Sequence, residues 1–106
     1  MPDYQLRYLP QFYEDMKQHA DYIANHLHNL QAAMDLIDAA EKAIFDRQRN
    51  AEAFEQYHSR KDRLYPYYRI YVRNFVVFYV VIPEKDHKVM EIRRFLFGKS
   101  NWKHSI

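Results

Sequence analysis

The chain has 106 residues, no cysteine and a formal net charge of +2 at pH 7. This length suits one hydrophobic core, and the lack of cysteine excludes disulfides, thiolate metal sites and cysteine nucleophiles. The longest apolar run, residues 75–82, is far shorter than the ~20 residues that a membrane span needs. We therefore expect a single domain over residues 1–106, located in the cytoplasm and lacking a signal peptide.

Charge is distributed unevenly along the chain. Residues 1–56 hold 5 Lys or Arg and 10 Asp or Glu, a balance of −5, whereas residues 57–106 hold 11 and 4, a balance of +7. A basic half of this kind indicates a surface that meets an anionic partner. The alternative is that lysine and arginine only keep the edges of a sheet soluble.

The first half of the chain predicts one strand followed by two helices. Apolar and polar residues alternate over residues 4–9, which is typical of a strand. Pro10 marks the first turn of a helix, and apolar spacings of 3 and 4 continue to Leu27. Asn29 breaks this pattern and is expected to cap a second helix that runs to about Arg49. Helices joined by so few residues form an antiparallel hairpin.

The second half predicts a loop and then three strands. Residues 50–66 are polar and aromatic with weak periodicity, so we expect a loop with a short helical turn near residues 51–57. Three strands are predicted at residues 68–73, 75–82 and 88–97, and the second is apolar on both faces, as a central strand would be. The fold class is therefore α+β, in the order β-α-α-β-β-β, with a small, mostly antiparallel sheet. The helical hairpin covers one face, and the other is left for solvent or a partner.

Strict alternation along each strand predicts the face of the sheet on which each side chain lies. Arg69, Tyr71 and Arg73 should share the open face, where arginine can bind phosphate and tyrosine can stack on a base. Ordinary cross-strand pairing of exposed residues is the alternative explanation. On the last strand, alternation places Leu96 and Arg94 on the face of Met90 and Ile92, with Arg93 and Phe95 on the other.

The sequence pattern also predicts the environments of several other residues. Tyr79 is expected in the core with its hydroxyl at an edge, and Trp102 is expected to pack the tail onto the sheet. The six histidines lack metal-ligand spacing, so we expect no metal and no cofactor. Several carboxylates are expected on the outer, solvated faces of the helices: Glu14, Asp15, Asp35, Asp38 and Glu41.

Four segments in order resemble the RelE/ParE superfamily of toxins from type II toxin–antitoxin systems, also called plasmid stabilisation systems. The resemblance spans nearly the whole chain and is carried by YLPQFYEDMKQHADYIANHL, NLQAAMDLIDAAEKAI, YRIYVRNFVVFYVV and VMEIRRFLFGKSNW. It implies a growth-inhibiting protein held inactive by a cognate antitoxin, reaching operator DNA only through the antitoxin complex. RelE-like members cleave mRNA on the ribosome as endoribonucleases (mRNA interferases). ParE-like members inhibit DNA gyrase without catalysis of their own.

Mapped onto this sequence, the resemblance implies a catalytic set of Arg69, Tyr71, Arg73 and Lys99. This set is incomplete, because Val76 and Ser100 stand where RelE-like members have arginine, and Phe97 replaces a common histidine. We still place mRNA cleavage first, with gyrase inhibition and a non-toxic, antitoxin-binding relic as alternatives. Further residues are candidates for binding nucleic acid or another target: His58, Arg60, Lys61, Arg93, Arg94, Lys103 and His104.

Overall fold

The computed structural model of the protein describes residues 4–58, 64–100, 102 and 106, and it is an α+β fold as predicted. Two helices pack on one face of a five-stranded sheet. The strands are β1 (Gln5–Tyr8), β2 (Gln56–Tyr57), β3 (Tyr67–Val72), β4 (Phe75–Pro83) and β5 (Lys88–Phe97), and the helices are α1 (Pro10–Asp21) and α2 (Leu30–Arg47). The sheet order is β1-β5-β4-β3-β2, with β1 parallel to β5 and all other pairs antiparallel.

The helical hairpin follows the sequence signals, with one difference. Pro10 occupies the first turn of α1, and the Asn29 side chain caps α2 by accepting a hydrogen bond of 2.9 Å from the Ala32 N–H. The first helix was predicted to continue to Leu27. Instead, the α-helix ends at Asp21 and a π-helical turn, Tyr22–His26, follows it. The wider turn shifts the apolar stripe, so Leu27 is exposed. Neither helix in the described part of the chain has the length and apolar character needed to span a bilayer.

The sheet contains one strand that the sequence did not predict. Residues 51–57 were expected to form a helical turn, whereas Gln56 and Tyr57 pair with Tyr68 and Tyr67 as β2, and the 3₁₀ turn lies earlier, at Gln48–Asn50. A strand of two residues is too short to show alternation, so only pairing with a distant segment reveals it. β4 is central, as expected, and the Arg73–Asn74 turn joins it to β3.

The sheet carries a buried cluster on each face, so the face opposite the helices is not left open as predicted. The helix-side cluster includes Phe12, Leu36, Ile44, Ile70, Tyr79, Ile92 and Phe95. The second cluster contains Tyr67, Val76, Phe78, Val80, Leu96 and Ile106, flanked by Tyr57, Tyr65, Ile82 and Trp102. The Trp102 ring lies 5.1 Å from that of Phe78, and its Nε1–H donates to the Gly98 carbonyl, confirming that it packs on the sheet. The large apolar content of β4 is thus buried on both sides.

A β-bulge in β5 changes the faces of the residues that follow it. Tyr79 lies opposite Ile92 while Phe78 lies opposite Arg94, which leaves Arg93 as the extra residue. Strict alternation across this point fails, because the bulge shifts the side-chain order by one. Phe95 consequently belongs to the helix-side cluster and Leu96 to the second cluster, the reverse of the prediction.

Candidate functional site

Arg69 and Tyr71 lie on the face of β3 that points away from the helices, as predicted. Their cross-strand partners on β4 are Phe78 and Val76, both members of the second cluster. Tyr71 is 65% exposed, an unusual value for a large aromatic side chain in a sheet. It therefore offers a rigid, amphipathic ring to a partner.

The Arg69 guanidinium is held between two tyrosine rings. Its Cζ lies 5.0 Å from the Tyr57 ring centroid and 5.8 Å from that of Tyr71, and an Nη lies 3.4 Å from a Glu55 carboxylate oxygen. Cation–π contacts of this kind orient the guanidinium and leave part of its edge for a ligand. The arrangement suits binding, since the charge of Arg69 is already partly compensated by Glu55.

The segments that carry Arg73 and Lys99 lie next to each other at one end of the sheet. The Gly98 N–H donates to the Asn74 carbonyl at 2.7 Å, joining the β3–β4 turn to the residue after β5. A Cβ on Gly98 would lie 3.0 Å from that carbonyl oxygen, so glycine permits the close approach. Both cations are exposed. We call Arg69, Tyr71, Arg73 and Lys99 the basic strip.

Arg73 has a left-handed backbone, with φ of 55°. This conformation is unfavourable for a side chain with a Cβ, by roughly 1–2 kcal/mol. Arg73→Gly should therefore raise the free energy of unfolding by about 1 kcal/mol while removing one cation of the basic strip. Urea unfolding monitored by fluorescence would check this, with Asn74→Gly as the neighbouring control; a destabilised Arg73→Gly protein would contradict the reasoning.

Arg94, predicted to bind a target, forms a salt bridge with a carboxylate that was expected on the surface. Its Nε and Nη2 donate to Asp15 at 2.7 and 3.1 Å, and the Phe95 N–H and Gln11 amide donate to the same carboxylate. Asp15 is only 4% exposed, so its predicted solvated position was wrong. The hydrogen bond to Asp15 raises the pKa of Arg94. This contact joins α1 to the portion of β5 that follows its pairing with β1. Arg94 therefore has a structural role.

Arg47 supports β3 from the helix side, a role that the sequence did not predict. Its guanidinium lies 3.5 Å from the Phe54 ring centroid and donates to the Tyr79 hydroxyl and the Arg69 carbonyl. The fully buried Tyr79 in turn donates to the Ala51 carbonyl at 2.6 Å. Burial raises the pKa of Tyr79 to about 12, against the opposing effect of Arg47.

The remaining candidates are dispersed. His58 is exposed immediately after β2, and Arg93 contacts Glu91 on β5. Four candidates lie outside the described residues: Arg60, Lys61, Lys103 and His104. The structure thus brings Arg69 and Tyr71 together on one face of the sheet and places Arg73 and Lys99 at one of its ends, while Arg94 is bound by Asp15.

The chemistry available at the basic strip is that of cations and one phenol. Across the sheet from Tyr71 lie Val76 and then Leu96, both apolar. Both are buried, so the exposed surface consists of the Tyr71 ring and the cations, and it can bind an anion or anchor a protein partner through fixed positive charge and one aromatic ring.

Comparison with known proteins places the chain in a family. The model for the ParE toxin of type II toxin-antitoxin systems (parDE) matches residues 6–102, from β1 to Trp102. A comparison with curated protein sequences finds no significant match. Because the family match covers both helices and every strand, the chain belongs to the ParE toxin family of type II toxin–antitoxin systems.

Proposed function

We propose that this toxin arrests growth by binding DNA gyrase through the basic strip, without catalysis of its own. The observation that carries the proposal is the environment of Tyr71, an exposed ring beside the Arg69 guanidinium that lies opposite the buried Val76 of β4. Tyrosine and arginine are the residues most enriched among those that dominate protein interfaces. The match to a ParE family model supports the same target.

The departures from a cleavage site support binding over catalysis. Cleaving RNA through its 2′-OH needs one group to take a proton and another to give one, in addition to cations. Val76 is buried in the second cluster, Phe97 lies edge-on to Phe75, and Ser100 donates to the Phe97 carbonyl. None of these three residues can replace the arginines or the histidine of RelE-like members.

Ribosome-dependent mRNA cleavage is the second candidate, supported by one observation. The exposed cations Arg73 and Lys99 are brought to the same end of the sheet as Tyr71, where two charges could bind a phosphate. In either case the type II family implies a cognate antitoxin as a partner.

Tyr71→Ala is expected to weaken gyrase inhibition at least about 30-fold, as loss of an interface anchor does. The measurement is the concentration of purified toxin that halves supercoiling of a relaxed plasmid by gyrase. Tyr22→Ala is the matched control, since Tyr22 is similarly exposed at 53% but lies on the helical hairpin.

Growth and RNA measurements separate the alternatives. The chain is induced without antitoxin, and mRNA 5′ ends and plasmid supercoiling are read from the same culture. Altered supercoiling with intact messages supports the proposal. New codon-phased 5′ ends that disappear in Arg69→Ala would assign mRNA cleavage instead, and unimpaired growth would indicate the antitoxin-binding relic.

A further inference from the structure

Two arginines from different strands share one buried carboxylate. Arg7 on β1 and Arg93 on β5 each donate an Nε–H to Glu91, at 2.9 Å to Oε2 and 2.8 Å to Oε1. Glu91 is 7% exposed and lies opposite Val80 of the second cluster, so the group is on the face away from the helices. We call Arg7, Glu91 and Arg93 the arginine fork.

The arginine fork has more positive charge than its carboxylate requires. One arginine would neutralise Glu91, and the second leaves the group with a net charge of about +1. Only the Nε of each guanidinium is used, and no described residue accepts a hydrogen bond from the Nη groups of Arg7 or Arg93. Their side chains are 47% and 24% exposed, so these donors can reach a ligand.

The β-bulge lies at Arg93 itself. Arg93 is two residues beyond Glu91 and so shares its face by alternation, and as the extra residue it has no partner opposite it on β4. Bulges interrupt the ladder of backbone hydrogen bonds and often re-aim a side chain at a functional surface. Glu91 accepts from both arginines on separate oxygens, which holds the guanidinium groups beside each other before any ligand arrives.

We propose that the arginine fork binds one phosphate of duplex DNA. Paired guanidinium groups match the geometry of a phosphate, and two donors on one carboxylate are too close to serve separate phosphates. Arg69 lies on the same side of the sheet, on β3, and adds charge for a polyanion rather than for a single acidic side chain. The toxin thus contacts DNA directly, beyond gyrase binding and beyond the DNA contact expected through its antitoxin.

The test measures binding of a fluorescently labelled random-sequence DNA duplex to the full chain at several salt concentrations. Arg7→Gln/Arg93→Gln should weaken binding about tenfold, as loss of a charge-assisted contact does. It should also reduce the slope of log K against log salt by about 0.9, the value for one phosphate. Because the double variant leaves Glu91 buried without a cation, Arg7→Gln/Glu91→Gln/Arg93→Gln is measured alongside it and should show the same loss.

The control is Arg49→Gln/Lys85→Gln, which removes two exposed cations elsewhere in the described chain. A loss confined to the fork variants supports the proposal. An equal loss in the control would overturn it in favour of general charge attraction. Unchanged duplex binding, or weakened binding only to antitoxin or to single-stranded RNA, would also overturn it. The assay contains no gyrase, so its result is independent of the proposed target.

Discussion

Asp15→Ala is expected to lower the free energy of unfolding by about 3–5 kcal/mol, the cost of removing one partner from a buried ion pair. The Asp15 carboxylate accepts two hydrogen bonds from Arg94, one from the Phe95 N–H and one from Gln11. Alanine would leave the partly buried guanidinium and a buried backbone N–H without their acceptor. The contact that joins α1 to β5 would be lost with them.

Chemical denaturation of the purified chain measures this effect. Asp38→Ala is the control, because Asp38 is an exposed aspartate on a helix and its loss should change stability by no more than about 0.5 kcal/mol. Asp15→Asn keeps the shape of the side chain but not its charge, and should fall between the parent and alanine. Equal stabilities of Asp15→Ala and Asp38→Ala would show that the ion pair contributes nothing net.

Tyr79→Phe is expected to destabilise the protein by about 1–3 kcal/mol, the range for leaving buried partners unpaired. The hydroxyl donates to the Ala51 carbonyl and accepts from Arg47, and both partners remain after the change. Arg47 also donates to the Arg69 carbonyl. If Arg47 is held less firmly, the stability of β3 should therefore decrease. Amide hydrogen exchange should therefore rise in β3 more than in β1.

Tyr79→Phe should also change how the free energy of unfolding depends on pH in the alkaline range. Burial raises the pKa of Tyr79 from 10.0 to about 12, so the unfolded chain loses this proton before the folded one. The stabilisation from the protonated phenol is complete below pH 10 and is lost as the pH rises through about 12. Stability of the parent should fall more steeply than that of Tyr79→Phe across this interval. Identical slopes, with the exposed Tyr22→Phe as control, would contradict the assignment.

These two buried groups hold the sheet that carries the basic strip. Asp15 and Arg94 fix β5 against α1, and Tyr79 with Arg47 fixes β3 against the end of α2. Tyr71 lies on β3, and Lys99 lies two residues beyond the end of β5. A loss of toxicity in either variant must therefore be compared with its stability before a binding role is assigned.

Local patterns in the sequence were sufficient for both helices, for every described strand except β2, and for their order. Pro10 and Asn29 begin helices because a missing N–H and a side-chain acceptor both suit a helix N-terminus. The apolar residues of β4 predicted a central strand because burial on both faces requires them. Trp102 was also placed correctly on the sheet and Tyr79 in the core, since a large ring on or near an apolar strand has buried neighbours to pack against.

The site residues were less predictable because their roles depend on partners far along the chain. The sequence pattern predicted Asp15 to be one of several solvated carboxylates on the helices. It is instead buried by contact with Arg94 and Phe95, which lie 79 and 80 positions further along the chain. The bulge at Arg93 has no signal in the alternation that it interrupts. Arg7 and Glu91 became neighbours only through the parallel pairing of β1 with β5, which alternation along one strand cannot reveal.

The sequence alone therefore determined the helices, the described strands other than β2, the basic second half and the toxin family, because these depend on residue type and short-range spacing. Tertiary structure decided which cations are partnered and which are presented. Arg94 is bound by a buried carboxylate, Arg69 lies against two tyrosine rings, and Arg93 shares Glu91 with Arg7 from the neighbouring strand. The physical reason is that the environment of a charge is set by atoms around it in space, and folding brings those atoms from distant positions in the chain.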